Sequence, residues 1–265
     1  MKEYDVIIVG GGVSGLYLAK ILKKKVLLLE KRDTIKTLAN HRYGTFGDTV
    51  RKFKLKKYVF KDYGEGGFYG ADGGVCHSYP KGTFNMVDMN EFAKELKLDC
   101  DVKTGYSLRK IERVSDEIIV DGKYKCKIII DCSGDKKVVG RKLGLMYKGE
   151  VDMVCTTLEA RGCKIPSYVV PEFWFMVDLD YSNTGLWVYM YEKDKCQFGI
   201  GEFFSSKRPL KKNQGKRLKD YLKNTFPYKD WIKNAKFVEV VRKVGPTTSL
   251  TSVYDDNFLA CGDAS

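Results

Sequence analysis

Val6-Ile7-Ile8-Val9-Gly10-Gly11-Gly12-Val13-Ser14-Gly15 decides how this chain begins to fold. Four β-branched residues in a row read as a strand buried on both faces. The glycines fit Gly-x-Gly-x-x-Gly, and Leu16-Tyr17-Leu18-Ala19-Lys20-Ile21-Leu22 then repeats apolar residues at helical spacing. A second apolar run, Val26-Leu27-Leu28-Leu29, ends in Glu30. Strand, glycine turn, helix, strand and acid thus stand in the order a bound dinucleotide requires. Gly10 permits a tight turn, Gly12 lets the main chain approach a pyrophosphate, and Gly15 lets the helix pack on the strand. The helix N-terminus at Val13 and Ser14 turns its amides to the phosphates, where the macrodipole favours negative charge. Glu30 would accept a hydrogen bond from a ribose 2′-hydroxyl, which favours an unphosphorylated adenosine ribose over that of NADP.

The rest of the chain is consistent with an enzyme-sized globular protein. Its 265 residues, 43% hydrophobic, allow one large domain or two interleaved ones. Six prolines and a normal aromatic share exclude a disordered or low-complexity chain. No run of about 18 apolar residues is present, so no transmembrane helix is expected. Lys2, Glu3 and Asp5 precede the first apolar run, unlike a secretory signal, and a cytoplasmic location is expected. The cysteines (76, 100, 126, 132, 155, 163, 196 and 261) are scattered without a Cys-x-x-Cys pair, and only His41 and His77 could assist them. Neither a disulfide framework nor a metal site is expected; most read as small buried hydrophobes.

Three further segments decide between NAD and FAD by resemblance. Glu30-Lys31-Arg32 with Arg42-Tyr43-Gly44 is similar to the second flavin segment of the p-hydroxybenzoate hydroxylase-like flavoproteins, where an arginine meets the pyrophosphate. Ile128-Ile129-Ile130-Asp131-Cys132-Ser133-Gly134-Asp135, then Val138 to Gly144 with Arg141-Lys142-Leu143-Gly144, resembles their strand, Asp-Gly turn and R-x-L-G helix, with the turn order altered to Ser133-Gly134-Asp135. Cys261-Gly262-Asp263-Ala264 resembles their GDA motif, whose aspartate binds the ribityl chain. The cofactor implied is FAD. The fold implied is α/β, a Rossmann-like FAD-binding domain (1–55, 84–145 and 245–265) interleaved with an antiparallel-sheet substrate domain (56–83 and 146–244). By the same comparison Leu108 falls on a strand near the adenine.

The middle of the chain resembles the geranylgeranyl reductase family. Gly185-Leu186-Trp187-Val188-Tyr189-Met190, then Gly199-Ile200-Gly201, is similar to its Y-x-W-x-F-P and G-x-G strands, with Met190 at the family's Pro. Tyr43 stands where many members have a cysteine, so no redox role is carried over to that position. The resemblance implies reduction of isolated carbon–carbon double bonds in isoprenoid lipids by a reduced flavin. No second dinucleotide fold is present, so electrons would come from a separate donor, a reduced carrier protein or NAD(P)H. From the residues alone, 146–204 alternates β-formers with polar positions, as half-buried antiparallel strands do. One face carrying Phe173, Phe175, Trp187 and Tyr189 could wall an isoprenoid pocket or serve as core. No general acid stands out; Tyr189, Tyr191 and His77 are candidates.

Charge is concentrated. Of the net charge of +13, ten units lie between Ser205 and Lys243, around a helix with Leu218, Tyr221 and Leu222 on its apolar side. Arg51-Lys52-Phe53-Lys54-Leu55-Lys56-Lys57 alternates like an amphipathic strand. Anionic lipid, giving peripheral membrane contact, or an acidic carrier protein would suit this field; no nucleic-acid module is recognised. Two rival readings remain: another flavin enzyme of the same fold, such as a monooxygenase or halogenase, and a catalytically incomplete homologue acting as a partner subunit. The second arises because the resembled family continues past its GDA motif into a loop and helix facing the flavin ring. Contacts to adenosine and pyrophosphate are therefore expected ahead of contacts to the ring.

Overall fold

A computed structural model describes residues 1–36, 42–64, 66–70, 75–80, 82–147, 152–165, 173–177, 182, 185–192, 194–205, 207, 209, 213–225, 228–242 and 249–264. At 69, 75–78, 147, 152, 174, 177, 191, 239–242, 249 and 263 it describes the backbone alone. The chain opens with β1 (Lys2–Val9), α1 (Val13–Ile21) and β2 (Val26–Leu29). An excursion follows through β3 (Arg42–Phe46), α2 (Gly47–Lys52), β4 (Val59–Asp62), β5 (Gly66–Gly70), β6 (Val75–Tyr79) and β7 (Phe84–Asp88). Next come α3 (Met89–Glu95), β8 (Asp101–Lys103), β9 (Ile111–Val114), β10 (Glu117–Val120), β11 (Tyr124–Asp131), α4 (Val138–Lys142) and β12 (Met146–Tyr147). A second excursion holds β13 (Asp152–Arg161), β14 (Phe173–Val177), β15 (Gly185–Glu192), β16 (Lys195–Phe204), α5 (Gln214–Asn224), α6 (Tyr228–Trp231) and β17 (Lys236–Arg242). β18 (Ser249–Leu250), β19 (Tyr254–Asp255) and β20 (Phe258–Ala260) close the chain.

These elements form two units, 1–42 with 88–149 and 248–265, and 43–87 with 150–247. The first break falls at 42/43, earlier than the 55/56 expected from sequence, because β3 joins β7 and β4 in a small sheet of the second unit. In the first unit the sheet runs β19-β20-β11-β1-β2-β8, with β10 and β9 extending from β11. β8, β2, β1, β11 and β20 are mutually parallel. Ile7, Ile8, Leu27, Leu28 and Ile129 are wholly buried, which is why the sequence shows continuous apolar runs there. Val9 pairs with both Leu29 and Asp131, and Asp131 with Ala260, so the carboxyl ends of four strands reach one edge in register. That edge is where ligands bind in open α/β sheets.

The second unit is a seven-stranded sheet, β17-β13-β16-β15-β14-β5-β6, antiparallel except for β14 beside β5. Leu158, Met176, Leu186, Val188, Met190, Phe198 and Ile200 point to one face, against Leu218 and Leu222 of α5 and Tyr228 and Trp231 of α6. Burying each such leucine stabilises by roughly 1.5–3 kcal/mol. Glu202, on the same face, accepts from Arg217 at 2.8 and 3.0 Å and from Gln214 at 3.1 Å, fixing α5 to the sheet. Residues 51–57 are not a strand, contrary to their alternation. Val50, Leu55 and Tyr58 are the buried positions, so the stretch ends α2, turns through a left-handed Lys54 (φ 54°) and enters a 3-10 turn at Lys56–Tyr58. Among the described residues no helix is long and apolar enough to cross a membrane.

Candidate dinucleotide site

Gly10 and Gly15 of the first turn each have a separate geometric reason to be glycine. Gly10 has φ 109°, and a Cβ on it would lie 2.3 Å from the carbonyl oxygen of Cys132 on the neighbouring strand end. A Cβ on Gly15 would lie 1.9 Å from the carbonyl oxygen of Gly10, so α1 can cross this close to the turn only without a side chain. In front of Gly12 there is nothing within 4 Å. Gly12 also stands at the N-cap of α1, and no side chain caps that end. The first amides of an α-helix have no intrahelical acceptor, so Val13, Ser14 and Gly15 present N–H groups beside open space. An anionic group fits there.

Glu30 follows β2 and is 5% exposed. Its Oε2 accepts from the amide of Gly11 at 2.5 Å, and its Oε1 accepts from the amide and Nε of Arg32 at 2.8 and 2.9 Å. Nη2 of Arg32 donates to Oε2 at 3.1 Å and to the carbonyl of Gly11 at 2.9 Å. Burial alone would raise the carboxyl pKa, but the hydrogen bonds from Arg32 and Gly11 outweigh it and hold the group below the usual carboxylate value. Glu30 is therefore an anion latched to the glycine turn by Arg32. In the sequence the only signal of Arg32 is a cation two residues beyond the acid that follows the strand.

The opposite side of the edge is shaped by Asp131 and the turn at Gly262. Asp131 is fully buried and accepts from Ser133 N and Oγ (3.0 and 2.5 Å) and from Val139 and Gly140 (2.8 and 3.0 Å). This fixes the turn carrying Gly134, which has φ 67° and open space where a side chain would stand. Gly262 has φ 70°, and a Cβ there would lie 2.4 Å from Ser14 Oγ. The last turn of the chain thus meets the start of α1, bringing together two segments nearly 250 residues apart.

The remaining positions divide. Lys31 is exposed beside Glu30, and Arg42 is exposed at the start of β3. Gly44 belongs to the second unit, and the Phe84 ring accounts for it: a Cβ would lie 2.5 Å from Phe84 Cζ. Leu108 is on no strand. Asp121 draws the amides of Arg109 and Lys110 to 3.0 and 2.5 Å, breaking strand pairing between β8 and β9, and Leu108 packs on the core of its unit. The side chains of Asp263, His77 and Tyr191, and all of His41, lie outside the described residues.

In the second unit the cross-strand register places Phe173 opposite Tyr189 and Phe175 opposite Trp187. Alternation puts all four on the face away from α5 and α6. Phe68 stacks on Phe175 at 5.1 Å, and Phe84 stacks on Phe173 at 4.5 Å and parallel to Tyr189 at 5.9 Å. The Trp187 indole lies over Gly199, where a Cβ would be 1.8 Å from Cε2. Phe173 is buried in this cluster, whereas Phe175, Trp187 and Tyr189 remain partly accessible. The register adds Thr157, Gln197 and Glu159 to this face, so its apolar part is the patch of rings with Gly199.

Comparison with known proteins agrees with this architecture. Residues 8–51 match the family of NAD(P)-binding Rossmann-like domains. A rifampicin monooxygenase of Streptomyces venezuelae is 25% identical over 176 residues, 58% of this chain and 37% of that protein, so the match spans well under half of the monooxygenase. A geranylgeranyl bacteriochlorophyll reductase-like protein of Thermoplasma acidophilum superposes with a TM-score of 0.75 at 19% identity, over 100% of this chain and 72% of that one. A myxobacterial chondrochloren halogenase, described as a variant of FAD-dependent halogenases, gives 0.75 at 16% identity, over 100% of this chain and 69% of that one. The fold is that of the FAD-dependent oxidoreductases. A p-nitrophenol 4-monooxygenase of Pseudomonas putida shares it, with a TM-score of 0.72 at 13% identity over 100% of this chain and 74% of that one.

Proposed function

We propose that this chain is an FAD-dependent oxidoreductase that reduces carbon–carbon double bonds of isoprenoid, geranylgeranyl-type lipids. Val13, Ser14 and Gly15 would hold the pyrophosphate with Arg42, Glu30 the adenosine ribose, and the turn at Gly262 and Asp263 the ribityl chain. When bound, FAD supplies two-electron transfer; the protein's part is to position the cofactor and to keep the reacting bond dry. The observation that carries the substrate class is the ring-and-glycine face of Phe175, Trp187, Tyr189 and Gly199, which offers an extended alkenyl chain contact area without charge. Electrons would come from a separate carrier protein or from NAD(P)H.

A second reading, oxygen-dependent hydroxylation or halogenation of an aromatic substrate, is favoured by the sequence similarity to the rifampicin monooxygenase. One experiment separates the two. The purified protein is loaded with FAD, reduced chemically without oxygen, and offered a geranylgeranyl lipid or an aromatic compound. Flavin reoxidation with a lipid heavier by two hydrogens per reduced bond supports the reductase. Reoxidation only on admitting oxygen, with a modified aromatic product, supports the second reading. Protein that stays colourless and takes up no FAD refutes both.

A further inference from the structure

We propose that the surface formed by residues 46–61 of the second unit docks on an anionic lipid bilayer. The proposal rests on this surface and not on the reaction assigned above. Between Arg51 and Lys61 there are six cations and no acid. Arg51 pairs with Asp48, while Lys52, Lys54, Lys56 and Lys57 are exposed. The same stretch exposes three phenylalanines, Phe46 (53%), Phe53 (37%) and Phe60 (42%). Phe53 is outside because Val50, Leu55 and Tyr58 take the buried positions of α2 and of the turn that follows, while Phe46 rests edge-on against Phe84 at 5.8 Å. Lys52 Nζ lies 5.7 Å from the Phe53 ring and Lys57 Nζ 4.8 Å from the Tyr58 ring. Both ammonium groups thus lie over ring faces, so charge and aromatic surface stand side by side along this stretch.

A bilayer is favoured over a soluble polyanion because it accepts both halves of this surface. Phosphates meet the lysines, and the phenylalanines enter the boundary between headgroups and acyl chains. A polyanion without apolar surface would use the charge and leave the exposed rings in water. The basic surface of α5 and α6 provides the contrast. Lys216, Lys223, Lys229 and Lys233 are exposed there, but Asp220 and Asp230 interrupt them, and Leu218, Leu222 and Trp231 are buried against the sheet.

The test is sedimentation of the whole chain with vesicles of phosphatidylcholine, alone or mixed with phosphatidylglycerol. Recovery is expected only with the mixed vesicles. Each lysine at such a surface contributes about 1 kcal/mol, or about fivefold, so Lys52→Gln/Lys56→Gln/Lys57→Gln should weaken binding about a hundredfold. Lys216→Gln/Lys229→Gln/Lys233→Gln, an equal change of charge, should weaken it about twofold or less. Phe53→Ser/Phe60→Thr should weaken it and leave the remainder abolished by salt. All three sets alter exposed residues, and unchanged thermal melts confirm folding. Equal loss from both lysine triples would show only an effect of net charge and overturn the proposal. So would an unchanged phenylalanine pair, or no recovery with the mixed vesicles.

Discussion

Gly12 and Gly15 are three residues apart in one motif, yet the structure assigns them opposite sensitivities. A methyl group on Gly15 would lie 1.9 Å from the Gly10 carbonyl oxygen, where real contacts essentially never fall below 3.0 Å. Both partners are backbone, so α1 must back away from the turn by about 1.1 Å, the difference between those distances. Overpacking of this kind costs typically 1–3 kcal/mol, and each kcal/mol lowers the melting temperature by roughly 2–4 °C in a protein of this size. The shift also carries the amides of Val13 and Ser14 away from the phosphate position, and losing one charge-assisted hydrogen bond there costs about 1.5–3 kcal/mol, tenfold or more in affinity. Gly12→Ala meets nothing within 4 Å and keeps an extended φ of −76°. Its cost at the N-cap and its entropic gain oppose each other, each near 1 kcal/mol or less. The expected result is Gly15→Ala with a depressed melt and weak FAD uptake, and Gly12→Ala with a normal melt and FAD uptake reduced about tenfold or more, since its methyl group occupies the ligand's space. Calorimetry of the FAD-free chains and fluorescence titration with FAD measure both. A Gly15→Ala chain with wild-type melt and affinity would refute the reasoning, as would a Gly12→Ala chain that loses stability instead of affinity.

Arg32→Ala should weaken FAD binding and raise the Glu30 pKa, since burial then acts with less opposition; a pH titration of FAD affinity for wild type and variant measures this. Because Glu30 is held below its ordinary value of 4.5, its contribution to stability is complete above that value and is lost as pH falls through the lowered one. Glu30→Gln should flatten that part of the acid stability curve, and an unaltered curve would contradict the assignment. Glu202→Ala removes the buried carboxylate that accepts from both Arg217 and Gln214 and should cost about 3–5 kcal/mol, measured by urea unfolding; a loss under about 1 kcal/mol would show that the cluster relaxes into water. Gly199→Ala must displace the Trp187 indole, so the near-ultraviolet circular dichroism should change together with a loss of about 1–3 kcal/mol. An unchanged spectrum would mean that the ring is not seated there.

The parts whose information is local are legible in the amino-acid order alone. Val6–Val9, the glycine turn, Val26–Leu29 and Glu30 lie within 25 residues, and each requirement, burial on both faces or a backbone without Cβ, acts on one residue at a time. The ring-bearing face at Phe175, Trp187 and Tyr189 was legible because strand alternation has a fixed period of two. Local pattern misled at 51–57, where alternating lysines looked like a strand although burial of Val50, Leu55 and Tyr58 follows a helical turn, and at Leu108, where Asp121 draws the backbone out of strand pairing. Which residues far apart in the chain come together at the site follows from the folded arrangement. Cys132 sets the clearance over Gly10, Gly262 closes on Ser14, Arg32 latches Glu30 to Gly11, and β3 joins the second unit. These facts depend on strand register and on close approach between segments brought together by parallel pairing. Neither is encoded in any one stretch of residues.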